Sequence, residues 1–389
     1  MMRWIRFAAI AFAAIILITF AVRANLSNAA LRENPPLAAR LHPENGFAQD
    51  RLVELQIAAA LEKQDTAALE RIEPQARAAL RHEPFALSSL ALLSMTARVA
   101  GENERADLLL DHASGLSRRD MLVQLQLIQR AAQREDLEAL IGHVDATLRS
   151  RQSGYQLIFP QLAQYLNRPE MVDPLTQVAR QDPAWYKLFI GEALTVPAAL
   201  PTIRTLMMRV PEGSAAQDTQ LRRNLISQLI ASGRISAARS YFRSLHPQAQ
   251  AGPLVDPEFT HPEYEAPFGW SVSEDPDLTA DFVRGEGLLA YAGSSREGIV
   301  ARQLVSLAPG RYTAKLDGER ADLSIIYLEV DCPTGAELLA ASPSPSGRYS
   351  FTVPARCPHQ TIGIGLRDND DSAVAEAAIR SITLTSGNG

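Results

Sequence analysis

The stretch Ala266–Val272, APFGWSV, marks the point at which the side-chain pattern of this 389-residue chain changes. Before it, from Leu26 to about Leu245, apolar residues recur every three or four positions among Ala, Leu, Gln, Arg and Glu, which is typical of amphipathic helices. After it, apolar and polar residues alternate, which is typical of half-buried strands. The sequence therefore predicts a helical region followed by an antiparallel β domain.

The C-terminal region contains several short strand patterns. Alternation is clear in RYTAKL (311–316), RYSFTV (348–353) and TIGIGL (361–366), whereas LSIIYLEV (323–330) is apolar on both faces and reads as a central strand. Turn signals such as Pro309-Gly310 separate these runs at short intervals. This spacing predicts a β-sandwich.

The helical region contains a weak repeat. A turn residue is followed by small residues five and twelve positions later, first at Gly101, Ala106 and Ala113. The same spacing returns in three further registers: Arg134, Ala139 and Ala146; Asn167, Val172 and Ala179; Gly233, Ala238 and Leu245. The pattern resembles the tetratricopeptide repeat, whose stacked helix pairs form a superhelical α-solenoid with a groove that binds partner proteins. A generic helical bundle is the alternative.

The N-terminus predicts export from the cytoplasm. Arg3 and Arg6 precede an uncharged apolar run, Phe7–Val22, close to the length that crosses a bilayer as a helix. A cleaved signal peptide ending at Ala24 is the alternative. We expect a single-pass signal anchor in a bacterial inner membrane, with most of the chain in the periplasm.

The two cysteines, Cys332 and Cys357, both lie in the C-terminal region. An oxidising compartment makes a disulfide the default expectation for such a pair. Two separate buried thiols are the alternative.

The composition and motifs argue against several classes of function. The net charge of −6 and the absence of a basic block argue against nucleic acid, so we expect no nucleic-acid partner. No hydrolase, phosphate-binding or zinc motif is present, and the seven His residues are scattered, so we expect no catalytic residues, no metal site and no cofactor. The acidic loop 368–372 offers oxygen ligands for Ca²⁺, but a solvated turn is the preferred interpretation.

The β domain carries a more specific resemblance. The segment RQLVSLAPGRYTAKLDG (302–318) resembles the strand, Pro-Gly turn, strand unit of jelly-roll domains of the carbohydrate-binding-module type. The matching positions are Gln303, Val305, Leu307, Pro309, Gly310 and Tyr312. Together with the anchor and the repeats, the arrangement resembles accessory proteins of bacterial exopolysaccharide and capsule systems.

Trp270 has two interpretations. In the first, Phe268 and Trp270 cover the open end of the sandwich core, because aromatic rings dominate small cores. In the second, Trp270 is a flat platform for a sugar ring, together with Tyr291 or Tyr327. The second interpretation requires exposed, roughly coplanar rings.

These observations combine into one expected layout. We expect a cytoplasmic stub and transmembrane anchor in residues 1–24, a tetratricopeptide-like α-solenoid in 25–247, a Pro-rich linker in 248–267 and a β-sandwich in 268–387. The expected function is non-enzymatic: an accessory scaffold in exopolysaccharide or capsule synthesis or export, with protein partners in the solenoid groove and glycan or protein on the sandwich. A general cell-envelope assembly scaffold without glycan contact is the alternative.

Overall fold

The computed structural model describes residues 2–210, 218–250, 252–318, 322–333, 337–338, 342–343, 347–368 and 374–387. The chain forms two compact units, Met1–Phe189 and Ile190–Gly389. A helical N-terminal part precedes antiparallel sheets, so the predicted order of α then β is confirmed. The boundaries expected from composition at residues 24, 247 and 267 stay predictions.

Except for one short helix, the α-helices of the described residues lie before the first strand. They are α1 (Met2–Ala30), α2 (Pro35–Leu41), α3 (Gly46–Glu62), α4 (Thr66–His82), α5 (Leu87–Val99), α6 (Asn103–Leu116), α7 (Met121–Gln133), α8 (Leu137–Ser150), α9 (Tyr155–Tyr165), α10 (Val172–Ala179), α11 (Ala184–Ala193), α12 (Leu200–Arg209), α13 (Thr219–Ala231), α14 (Ile235–Leu245) and the short α15 (Asp322–Ile325).

The strands form two antiparallel sheets. They are β1 (Ser271–Val272), β2 (Leu278–Val283), β3 (Gly287–Ala292), β4 (Gly298–Val305), β5 (Gly310–Gly318), β6 (Ile326–Cys332), β7 (Glu337–Leu338), β8 (Ser342–Pro343), β9 (Arg348–Val353), β10 (Gln360–Leu366) and β11 (Ala375–Ser386). Within the described residues, the five-stranded sheet has the order β1-β4-β10-β6-β7 and the six-stranded sheet the order β2-β3-β11-β5-β9-β8. The Pro309-Gly310 turn therefore carries the chain from one sheet to the other.

The expected membrane anchor is wrong. Across the described part of the chain, no helix combines the length and apolar character that a membrane crossing needs. The last turns of α1 carry polar side chains that bond to the next helix: Arg23 Nε donates to the Leu41 carbonyl at 3.0 Å, and Ser27 Oγ donates to the Ala38 carbonyl at 2.8 Å. The prediction of a single-pass location in a bacterial inner membrane is therefore also wrong.

In the first unit, consecutive helices pack as the pairs α3–α4, α5–α6 and α7–α8. Each pair is closed by a turn with one left-handed residue: Gln64, Gly101 and Glu135 have φ of 54°, 81° and 56°. Small residues bring paired helices together, since Ala106 and Ala113 on α6 are fully buried and Ser94 Oγ on α5 donates to the Ala106 carbonyl at 2.8 Å. In the pair α5–α6, the left-handed turn residue Gly101 and the buried small residues Ala106 and Ala113 therefore both favour close packing of the two helices.

The other registers of the weak repeat are packed less uniformly. Val172, Ala179 and Ala238 are buried, whereas Ala139, Ala146 and Leu245 are half-buried.

In the second unit, the two sheets pack face to face around one core. Inward residues come from both sheets, among them Leu288, Leu316 and Phe351 from the six-stranded sheet and Leu328 and Ile364 from the five-stranded sheet. Alternation therefore places one apolar face of each sheet against the other, as the sequence pattern predicts.

The Pro-rich segment before β1 is an ordered strap along the sandwich. Gln303 on β4 holds it through two bonds to Val255, accepting from the Val255 N–H at 3.0 Å and donating to the Val255 carbonyl at 2.7 Å. The Ile382 N–H donates to the Pro257 carbonyl at 2.8 Å. The segment buries Leu254 and Phe259 in the sandwich core.

The predicted disulfide between Cys332 and Cys357 is confirmed. It joins the end of β6 to the loop before β10, with a Cα–Cα distance of 5.8 Å and 25 residues of sequence separation. Both cysteines belong to the sandwich core.

Replacing both cysteines with alanine should lower the free energy of unfolding by about 3 kcal/mol, because the unfolded chain loses a closed loop. Denaturant unfolding of the double variant measures the loss. Wild-type protein under reducing conditions should show the same loss, and a double variant as stable as the oxidised protein would contradict this account.

Candidate functional site

The first unit has an apolar groove of about 450 Å³ between α7, α8 and α9. Its floor is buried: Leu140 and Val144 come from α8, and Ile158 and Leu162 come from α9. Its rim is open, because Leu157 is 45% exposed. The remaining lining residues are Leu125, Ile128, Gln129 and Ala132 on α7 and Gln161 and Tyr165 on α9. We call this surface the helical groove.

N-cap residues and one hydrogen bond between side chains define the position of α7 and α8, two of the helices that form the helical groove. Asp120 and Asp136 begin α7 and α8 as N-caps, each accepting a backbone N–H at 3.0 Å three residues on. Gln124 on α7 lies 3.1 Å from His143 Nδ1 on α8, which bonds the two helices together. Burial, then the charge of Arg130, lowers the pKa of His143, so this contact is between neutral side chains at neutral pH.

The far side of α9 is held by aromatic packing. Phe159 lies 5.4 Å from Phe189 and 6.5 Å from Trp185, measured between ring centroids. The Trp185 indole N–H donates to Asp145 on α8 at 2.9 Å. These contacts hold α9 from the side opposite the helical groove.

One cation lies at the end of the helical groove. The Arg168 guanidinium stacks over the Tyr165 ring, 5.3 Å from its centroid. None of the groove-lining residues is acidic or basic. The surface thus combines apolar walls, two amide side chains on the rim and a positive charge at one end.

The outer face of the six-stranded sheet carries a second, shallower groove of about 440 Å³. It is lined by Tyr291 and Leu289 on β3, Asp281 on β2 and Glu376 on β11, with Ala378 and the backbone around Ala290 and Ala377 between them. Tyr291 is half-buried, whereas Asp281 and Glu376 are exposed. We call this surface the Tyr291 groove.

The three predicted ligand residues lie in three different environments. Trp270 is 6% exposed and belongs to the sandwich core, where its indole N–H donates to the Asp256 carbonyl at 3.0 Å. Tyr291 lines its groove on one sheet, and Tyr327 lies on β6 in the other sheet, against Gly365. The structure does not bring the rings together, and a sugar-binding role for each stays a prediction.

Phe268 does not share the core with Trp270. Its ring packs on α14, 5.5 Å from the Phe242 ring between centroids, and the Arg239 guanidinium lies 5.2 Å from the Phe268 ring centroid. Gly269 permits this divergence of the two rings, because a Cβ there would lie 2.4 Å from the Tyr264 carbonyl oxygen. The APFGWSV stretch therefore joins the last helices to the sandwich.

A buried ionic cluster lies beside this junction. Glu265 on the strap is 1% exposed, with Oε2 at 2.5 Å from His246 Nε2 and Oε1 at 3.4 Å from Arg222 Nε on α13. Burial raises the pKa of Glu265, but the His246 hydrogen bond and the charges of His246 and Arg222 outweigh it, so the pKa is below its usual value. No sequence pattern indicated these three residues.

Arg239 on α14 reinforces the junction. Its Nη2 donates to the Leu304 carbonyl at 3.0 Å, and burial followed by the charge of Arg243 lowers its pKa to about 10. It therefore stays cationic at neutral pH. Arg239 and the ionic cluster join α13 and α14 to the strap and the sandwich. Their role is therefore structural.

The sequence offered the acidic loop 368–372 as a possible Ca²⁺ site. The structure describes only Asp368 of this loop, and residues 369–372 lie outside the described residues. Among the described residues, no group of three or more His, Cys, Asp and Glu is arranged to hold a metal ion. The expectation of no catalytic residues and no cofactor stays a prediction.

No protein-family model matches the sequence, and no curated protein matches it. Among solved structures, the chain is similar to the crystal structure of accessory secretory protein 1, 2 and 3 in Streptococcus pneumoniae, with 9% identity and a TM-score of 0.24. The match covers 29% of this chain and 88% of that one. A likeness at this TM-score supports no inference about function.

Proposed function

We propose that the protein is a non-enzymatic binding protein, in which the helical groove holds a segment of a partner protein. The observation that carries the proposal is the apolar surface itself: a preformed groove of about 450 Å³ with an open rim that includes a 45% exposed leucine. Exposed concave apolar surfaces of this kind are typical of interaction sites.

The occupant that fits best is an amphipathic helix. The lining residues of α7 recur at the helical spacing of positions 125, 128, 129 and 132, which makes a continuous ridge opposite the ridge on α9. A partner helix with apolar residues at three- and four-residue spacing lays its apolar face between two such ridges. The cation of Arg168 at one end favours a carboxylate beside that face.

The finer classification rests on resemblance. The repeated spacing supports a tetratricopeptide-like solenoid, and the Q-x-V-x-L-x-P-G-x-Y segment supports a carbohydrate-binding-module-like jelly roll. On that basis we assign the protein an accessory role in an exopolysaccharide or capsule system. The alternative is an assembly scaffold that contacts proteins only.

A specific observation favours glycan contact as a second function. The Tyr291 groove combines a half-buried ring, small residues and two exposed carboxylates on an open sheet face. Sugar rings stack on aromatic faces through their C–H groups, and carboxylates accept hydrogen bonds from hydroxyls.

Replacing Leu157 with aspartate should reduce recovery of the bound partner about tenfold, because a carboxylate would have to be desolvated against the apolar face of the partner. Quantitative affinity purification from the native cell, followed by mass spectrometry, measures the ratio. Folding should change little, because Leu157 lies on the rim.

Leu108 provides the matched control, because it is a leucine of the same unit, is 72% exposed and lies outside the helical groove. Leu108→Asp should leave recovery unchanged. Equal losses in both variants, or no loss in either, would overturn the groove as the binding surface.

A further inference from the structure

The strand register sets the geometry of the Tyr291 groove. Tyr291 lies directly opposite Thr279 on one side and Glu376 on the other, and Asp281 lies opposite Leu289. Directly opposed side chains have Cβ atoms about 5 Å apart, and diagonal neighbours lie about 7 to 8 Å apart. The Tyr291 ring is therefore bracketed by a carboxylate on each neighbouring strand.

In the part of the chain that the structure describes, the two carboxylates of the groove have no fixed counter-ion. Among the described residues, no ion pair joins Asp281 or Glu376 to a cation. The cations nearest along these strands are Arg284, three residues after Asp281, and Arg380, four residues after Glu376, and neither lines the groove. The groove therefore presents two negative charges around one aromatic ring.

The carboxylates distinguish between possible glycans. A neutral sugar gains stacking and hydrogen bonds, but it leaves two carboxylates without charge compensation. A sugar that carries an ammonium group gains the same stacking, an ion pair with either carboxylate and a favourable contact with the ring face. A polymer or protein surface rich in carboxylates would be repelled from the groove.

We infer that the Tyr291 groove binds a glycan that carries free amino groups, with Tyr291 stacking on a sugar ring and Asp281 and Glu376 pairing with its ammonium groups. The inference rests on glycan contact, the second function proposed above. It names the chemical class of the glycan as an amino sugar polymer with unacetylated nitrogens.

Calorimetry on the full-length protein tests the inference with three matched oligosaccharides: a glucosamine hexamer, its N-acetylated form and a glucose hexamer with the same β-1,4 linkage. We expect the glucosamine hexamer to bind about tenfold or more tightly than either of the others, and its affinity to fall as salt rises. Tyr291→Ala should abolish measurable binding, and the Asp281→Asn, Glu376→Gln double variant should weaken it about tenfold.

Asp317→Asn is the matched control, because Asp317 is an exposed carboxylate on β5 of the same sheet, outside the groove lining. It should leave binding unchanged. Equal affinity for all three hexamers would overturn the charge selection but keep glycan contact, and binding of none would overturn both. If a lysine hexamer bound as tightly as the glucosamine hexamer, the groove would be a general cation site, and the assignment to glycan would fail.

Discussion

Replacing Glu265 with alanine is expected to lower the free energy of unfolding of the second unit by about 4 kcal/mol. The carboxylate is 1% exposed and lies between His246 and Arg222. Removing it takes away the anion beside the half-buried Arg222 cation. Removal of one partner of a buried ion pair costs several kcal/mol, because the other charge stays buried without compensation. Equilibrium unfolding in urea measures the change.

Glu263 provides the control for this substitution. It is two residues away on the same strap and also pairs with a histidine, His261, at 2.8 Å, but its side chain is 60% exposed. Glu263→Ala should change the free energy of unfolding by less than about 0.5 kcal/mol. Similar losses in the two variants would show that the ionic cluster contributes no more than an exposed pair.

The same cluster predicts a pH dependence. The pKa of Glu265 is lowered in the folded protein, so its contribution is fully present above the ordinary glutamate pKa and is lost as the pH falls through the folded value. The stability difference between wild type and Glu265→Gln should therefore shrink on acidification from pH 7 towards pH 3. A difference that stays constant over this range would contradict the assignment of a lowered pKa.

Replacing Trp270 with alanine is expected to cost about 4 kcal/mol, because it removes a large ring from the sandwich core and leaves a cavity. The ring packs 5.2 Å from Phe259, and its N–H satisfies the Asp256 carbonyl. Trp270→Phe should cost less, since it keeps most of the packing and loses chiefly the hydrogen bond.

Urea unfolding of both Trp270 variants, with Tyr291→Ala as a half-buried aromatic control, measures these losses. We expect Tyr291→Ala to be the least destabilised of the three, because it lies on the outer face of its sheet. A fully stable Trp270→Ala protein with impaired glycan binding would support the platform interpretation and overturn the packing one.

Much of the β domain could be predicted from alternation. Tyr349, Phe351 and Val353 point into the core as the pattern requires. The segment 323–330 is a mixed result, because β6 begins only at Ile326 and the preceding residues form the short helix α15. Period-two alternation shows which face of a strand is buried. A continuous apolar run does not show where a strand begins, because a helical segment can be equally apolar.

The membrane prediction was wrong for a physical reason. The predicted span Phe7–Val22 is only part of α1, which continues through Arg23 and Ser27 to Ala30, and no helix in the described part of the chain has the apolar character that a membrane crossing needs. The expectation of an anchor rested on this apolar run and on Arg3 and Arg6 before it.

The candidate sites were the least predictable part. The helical groove forms where the apolar faces of three helices converge. In the part of the chain that the structure describes, no further helix covers Leu157. Both features depend on tertiary packing, which the sequence pattern does not show. Glu265 stands in a Pro-rich segment with the composition of a solvated linker, so nothing local indicates its burial. Tyr291 could be singled out as an aromatic residue, but its two carboxylate neighbours are brought to it by strand register.

The most direct test of a protein-binding helical groove is photocrosslinking in the native cell with benzoylphenylalanine at position 157, compared with the same residue at position 108. The account predicts crosslinks at position 157 to one apolar segment of another protein, with apolar residues at helical spacing and an acidic residue nearby, and no such crosslink at position 108. Crosslinks of equal yield at both positions, or only to a second copy of this chain, would contradict it.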